Sequence, residues 1–347
     1  MVVAMPTPRR LNRDQFFALI AEMDPADLRK ALWTLYWRGG APVRERIEDL
    51  IEPDRVKVRT EAANRAPDAG LVLAEVTEFA ALARSGSYLA GDRRVSPKER
   101  SQWRHTFRRL TQSAQEALRG EEVETAASAV TVMVELACET KSYDYFRSDD
   151  PVEAARFVVS DAVAATWARR RDAYGADRMI EQAAVELVRW ESRYGWTRGG
   201  DGWVSERERS LASVLAGFLT VPDLWTTAAG DYLNSLDRIA AGGSGRRQHG
   251  RDREERAGNL REWNALLIDR LAGSEDEELL DRLVTHPALA GPDLTFVQAR
   301  LAYHRDDLEN ARDLVRHCLK LLPGHRNFLD FAAELDEELP PRAARRT

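Results

Sequence analysis

A chain of 347 residues has room for one large domain or two to three smaller ones, and a composition of 44% hydrophobic and 31% charged residues supplies both a core and a solvated surface. The formal net charge of −6 gives no global attraction to nucleic acid or acidic lipid, so a protein held to either by bulk charge is excluded. No run approaches the roughly 20 apolar residues of a membrane-spanning helix, and residues 1–13 lack the apolar core of a signal peptide.

The elements follow in chain order as helices. The first, over 12–23, places Phe16, Leu19, Ile20 and Met23 on one face. Asp24 caps the second and Pro25 occupies its first position, where a missing N–H costs nothing. That helix carries Leu28, Leu32 and Leu35 and ends at Gly39 and Gly40. Trp33 and Trp37 stand on a different stripe, and the size of indole predicts a further layer of helices over them rather than solvent. Val43, Ile47, Leu50 and Ile51 mark a third helix before Pro53, and a polar joint follows over 55–68. Val72, Val76, Phe79 and Ala83 give a fourth helix. Ser96 and Glu99 open a long fifth one as a capping box, with Trp103, Phe107, Leu110, Ala114 and Leu118 as its buried stripe.

Lys98, Arg100, Arg104, His105, Arg108 and Arg109 stand between the members of that stripe, the densest basic helix in the chain. Arg104, Arg108 and Arg109 are therefore the candidate contacts for an anion or phosphate. The competing expectation, and the commoner fate of a helical charge run, is a solvated face paired to acidic neighbours such as Glu121 and Glu122.

Residues 126–138 are apolar on nearly all sides, and so is the helix expected from the Asp150 cap through Trp167; these two should form the centre of the core. Ile180, Ala184 and Leu187 continue the pattern. Residues 194–203 break it: Trp196 and Trp203 flank a run of glycines, a tight hairpin whose aromatics either bind a ligand or plug the helices beneath, with the plug favoured. Ser205 with Glu208, and Ser274 with Glu277, read as two more capping boxes. The glycine-rich stretch 241–254 has few apolar anchors and reads as a mobile Gly/Arg linker between an irregular helical array, 1–240, and a C-terminal helical domain, 255–347. The tail 340–347 should fray.

No phosphate loop, nucleophile elbow, H-E-x-x-H or paired C-x-x-C is present, so no catalytic residue and no cofactor is expected. Cys138 and Cys318 each lie in an apolar helical pattern, as reduced buried thiols of a cytoplasmic protein do. The preference for arginine over lysine is what a GC-rich bacterial genome would encode. His304, His317, Cys318 and His325 crowd together, but Cys318 belongs to a packed stripe and the short ligand pairs of zinc sites are missing. Asp144, Asp149 and Asp150 offer too few oxygens for a calcium loop. No metal is expected.

The stretch 294–335 reads as three short helices. Leu308, Ala311, Val315, Cys318 and Leu322 share one face of the middle helix, Asp306 and Glu309 are placed to cap it, and Pro323 and Gly324 stop it. Over 292–325 the stretch resembles a single degenerate tetratricopeptide repeat: Ala299 stands at the glycine, Ala311 at the alanine, Val315 at the aromatic and Pro323 at the proline. Thr295, Gln298 and Ala302 depart from the Trp, Leu and Tyr of the pattern. The resemblance implies an all-α array of antiparallel helix pairs ending in a tetratricopeptide-like hairpin, with a concave surface for a peptide or partner helix. Phe296, Arg300, Tyr303, His304 and Asn327 would line that surface together with Asp330, Arg300 holding a carboxylate. The alternative is a polar cap closing the end of the array. The expected function is a non-catalytic protein-protein interaction protein, an adaptor or regulatory subunit. The runner-up is a subunit of a nucleic-acid-associated complex using 98–109 and the Arg-rich linker, and a third possibility is an enzyme whose site is dispersed.

Overall fold

A computed structural model describes residues 11–51, 66–89, 92–194, 201–242 and 250–338. Most of the expected joint (55–65 of 55–68), the glycines at 199–200 with Trp196, the middle of the expected linker at 243–249 and the tail at 340–347 lie outside the described residues. The described regular structure is entirely helical, with seventeen helices and no strand among the described residues. By compactness the chain divides into two units, 1–65 and 66–347.

The N-terminal unit contains α1 (Arg13–Ala21), α2 (Pro25–Arg38) and α3 (Ala41–Ile51). The Asp24 cap and the Gly39 stop form as the sequence predicts, and a capping box not foreseen opens α1. Asn12 and Gln15 form a reciprocal capping box at 2.9 and 3.2 Å, and the Asp24 carboxylate accepts the Ala26 N–H at 2.7 Å ahead of α2. Gly39 closes α2. α2 packs on α3, with the Tyr36 hydroxyl donating to Glu48 at 2.7 Å. Yet no described side chain from 11 to 51 is buried. Among the described residues no layer covers Trp33 and Trp37: their rings stack on each other at 5.8 Å and remain 60% and 71% exposed. Three short helices with one packed pair cannot enclose an indole.

The second unit begins with α4 (Ala69–Arg84), α5 (Pro97–Ala117), α6 (Val123–Glu139), α7 (Pro151–Ala155), α8 (Val159–Tyr174), α9 (Ala176–Tyr194), α10 (Leu211–Ala216) and α11 (Pro222–Gly242). The capping box of Ser96 and Glu99 forms, and α5 buries Trp103, Phe107, Leu110 and Ala114 as its stripe requires. α6 and α8 lie at the centre, with Met133, Leu136, Val163 and Trp167 essentially inaccessible, and α9 packs against both α8 and α11. Inside this core sits an ionic group. The Trp167 indole N–H donates to Glu186 at 2.7 Å, and Arg170 bonds Glu186 at 2.7 Å and Glu124 at 3.2 Å. The pair satisfies a buried guanidinium that α8 would otherwise strand.

Two carboxylates near helix starts are used across the fold, one of them Glu208 of an expected capping box. The single helix expected from Asp150 to Trp167 is broken by Arg156, whose φ of 53° is left-handed, and α8 starts afresh at Val159. No side chain of its own caps α8. The Glu208 carboxylate does so from across the fold, accepting the N–H groups of Val159 and Ser160 at 2.5 and 2.9 Å. Glu208 is thus not the returning carboxylate of a box with Ser205, and α10 begins later, capped by Ser210. Glu153 likewise leaves its own helix to accept the N–H groups of Trp203 and Val204 at 3.0 and 2.8 Å. Trp203 is 39% exposed, with the Arg207 guanidinium 4.2 Å from its ring centroid, so this half of the aromatic pair lies on the surface rather than sealing the helices beneath.

The unit continues with α12 (Gly250–Asn259), α13 (Arg261–Leu271), α14 (Glu277–Val284), α15 (Pro292–His304), α16 (Leu308–Leu321) and α17 (Arg326–Glu338). Of the expected linker, 250–254 is the start of α12, which packs on α9 and α15. Arg253 and Arg256 of α12 donate to the carbonyls of Leu289 and Ala288 at 3.1 and 2.8 Å. One hydrophobic core therefore runs on both sides of 243–249, including Leu236 and Leu260. The expected box of Ser274 and Glu277 does not form: Asp276 precedes α14 without a side-chain cap, its N–H donated to the Ser274 hydroxyl at 3.2 Å.

Candidate functional site

The C-terminal helices α15, α16 and α17 enclose a second, smaller core. Phe296, Ala299 and Ala302 of α15 meet Ala311, Val315 and Cys318 of α16 and Phe328, Phe331 and Leu335 of α17. Ala299 and Ala311 are wholly buried where the two helices meet, and their small side chains let the backbones approach. The turn between α15 and α16 differs from expectation by one residue. Asp306 takes the left-handed conformation at φ 58° that ends α15, the Asp307 N–H reaches back to the Ala302 carbonyl at 2.9 Å, and Asp307 rather than Asp306 caps α16. Cys318 is buried with its thiol 3.2 Å from the Pro292 carbonyl, and burial pushes its pKa up to about 11.

A groove of about 590 Å³ opens along this core, lined by Arg261, Glu262 and Ala265 of α13, Phe296 and Arg300 of α15, and Asn327, Asp330, Phe331 and Glu334 of α17. Three of the five expected contact residues, Phe296, Arg300 and Asn327, thus line one surface. Phe296 is its floor rather than an exposed anchor, only 3% accessible and set against Phe328 and Phe331 at 4.8 and 5.5 Å. Tyr303 is half-buried edge-on to Phe331 at 5.6 Å. His304 turns away to Asp269, its Nε2 3.1 Å from Oδ1.

The charges are arranged differently from the expectation. Arg300 already donates to Asp269 at 2.6 Å, with its guanidinium 5.5 Å from the centroid of Phe331. Arg261 donates to Asp293 at 2.5 Å and lies 2.9 Å from His325 Nε2; burial and that guanidinium hold the His325 pKa below its ordinary value. Asp330 and Glu334 are exposed on the rim with no ion-pair partner among the described residues. The cations of the groove are therefore neutralised from within, and its uncommitted charge is negative.

Sequence reasoning did not foresee α13 as a wall of this site, nor Arg261, Glu262, Asp269 and Glu334. A signal was present. Ala265, Ala299 and Ala333 are spaced 34 residues apart, as are Leu267, Leu301 and Leu335. That interval equals the length of a tetratricopeptide repeat, but only 292–325 carries enough of the remaining pattern to show the resemblance by itself.

The basic face of α5 is largely committed. Arg108 donates to the carbonyl of Ala155 at 3.0 Å and Arg109 to Glu75 at 2.9 Å, leaving Arg104 exposed. His317 is exposed and Cys318 buried, so the crowded histidines and cysteine do not converge, and no group of three metal-ligating side chains occurs among the described residues. No helix of the described residues is long and apolar enough to cross a membrane. No family model matches the chain, and neither a curated protein nor a solved structure matches it.

Proposed function

We propose that this chain is a non-catalytic helical interaction protein, an adaptor or regulatory subunit, that takes a partner segment into the groove between α13, α15 and α17. The carrying observation is the combination of an aromatic floor, Phe296 and Phe331, with two unpaired rim carboxylates, Asp330 and Glu334. Apolar surface favours a segment with one apolar face, and the carboxylates favour lysine or arginine beside it. The partner class is a basic, amphipathic peptide or helix, not the acidic one that Arg300 suggested in isolation. Two buried cysteines, Cys138 and Cys318, that form no disulfide fit work in a reducing compartment such as the cytoplasm.

A randomised peptide display library panned on the full chain tests this. Selected peptides should combine basic and apolar residues, and they should weaken steeply with added salt. Asp330→Lys with Glu334→Lys should reduce their affinity by about tenfold or more, about 1.4 kcal/mol. Selection of acidic peptides, of no peptides, or of peptides indifferent to both substitutions would sink the proposal.

A further inference from the structure

The N-terminal unit presents the largest unexplained surface. Among the described residues, twelve of the twenty large hydrophobic side chains that are exposed fall within 11–51. They include Phe16 and Leu19 on α1, Leu32, Trp33 and Trp37 on α2, and Ile51 on α3, each between 43% and 71% accessible. Two features of this surface are complementary. α2 and α3 leave a groove of about 490 Å³ between them, lined by Arg29, Leu32, Trp33, Tyr36, Ile47, Glu48 and Ile51. α1, an apolar helix of nine residues, lies along neither α2 nor α3. At 1.5 Å per residue α1 is about 14 Å long, shorter than either wall of the groove.

We infer that the unit is a homodimerisation module in which α1 of each copy lies in the α2–α3 groove of the other. Three observations select a second copy as the occupant. The surface offers both halves of the contact, a free apolar helix and an open apolar groove, which is what an isologous two-fold interface requires. Half-exposed side chains of this size leave on the order of 1,000 Å² per copy uncovered, more than the ~800 Å² per partner of a stable interface. Charge does not oppose self-association: residues 11–51 carry six basic and seven acidic side chains, and the groove walls hold one of each sign, Arg29 and Glu48. A nucleic acid or a lipid surface would want one sign in excess. The physical need is plain as well, since no described side chain of 11–51 is buried, and helices α1 to α3 do not enclose a core among themselves.

The test is sedimentation equilibrium and light scattering on the full chain across the micromolar range. The wild type should be a dimer. Phe16→Glu, which alters the inserted helix, and Ile47→Glu, which alters the groove, should each weaken self-association about a hundredfold, with helicity and the main melting transition unchanged. Leu19→Glu and Trp33→Glu repeat the two tests at independent positions. An equimolar mixture of Phe16→Glu and Ile47→Glu chains should recover a dimer, because one intact α1 then meets one intact groove. A wild type that stays monomeric throughout, as it would if the surface docked on its own chain or on a different protein, overturns the inference. So does a dimer indifferent to all four substitutions, or a mixture that stays monomeric.

Discussion

The helices of the N-terminal unit and those of 66–338 are written in the same code but reach opposite ends. Both have sound caps: Asn12 with Gln15 in one, Ser96 with Glu99 in the other. Both place apolar residues at helical spacing. In α5 the stripe of Trp103, Phe107 and Leu110 is buried, whereas in α2 Leu32, Trp33 and Leu35 stand in solvent. Periodicity thus fixes which residues share a face, while burial depends on whether a second layer arrives to cover it.

The contrast is sharpest at the buried ionic group of α8 and α9. Glu186→Ala should leave the buried Arg170 guanidinium with Glu124 alone and the Trp167 N–H unmatched, lowering stability by up to about 3–5 kcal/mol. Urea unfolding followed by circular dichroism measures it. A loss no larger than that of a surface substitution would mean that water reaches Arg170 and that this core is loosely packed. Ala311→Trp comes next, since residue 311 is fully buried where α15 meets α16. Overpacking there should cost about 1–3 kcal/mol, visible as early melting and as loss of peptide binding in the groove.

A smaller effect should appear with pH. His286 is buried, accepts the Ala288 N–H on Nδ1 at 3.2 Å and faces Asp237 through Nε2 at 3.0 Å. Burial lowers its pKa despite the carboxylate, with the Arg282 and Arg256 guanidinium groups acting in the same direction. Because the unfolded chain then takes up a proton first, the stability from neutral His286 is present above the ordinary value of about 6.5 and is lost as pH falls below it, by at most about 1.4 kcal/mol per pH unit. Melting temperatures from about pH 8 to pH 5 should fall, and His286→Gln should flatten part of that slope. An unchanged slope would assign the acid sensitivity to other groups. The smallest effect belongs to the N-terminal unit. Leu35→Ser, at a residue 59% exposed, should change the stability of the monomeric chain by no more than about 0.5 kcal/mol. A larger change under dilute conditions would show that α2 is covered within its own chain.

Much of the C-terminal site was legible in advance. The packed stripe of Ala311, Val315 and Cys318 follows from helical spacing, whereas the shared surface of Phe296, Arg300 and Asn327 is what the tetratricopeptide resemblance implies. What spacing does not contain is the identity of the opposite wall. Asp269, 31 residues before Arg300, takes the guanidinium that seemed available for a partner and reverses the sign of the groove's free charge.

By itself the sequence determined that this is an all-helical chain, where most helices begin and end, and which faces are apolar, because caps and 3.6-residue periodicity are settled within a few residues. The tertiary structure alone decided where the long-range polar groups go. Glu208 caps α8 from 49 residues away and Glu153 holds the backbone of Val204 from 51. A carboxylate beside a helix start satisfies a local cap rule and a remote amide equally well, and only the packed fold brings the remote amide within 3 Å and removes the water that would otherwise compete for it.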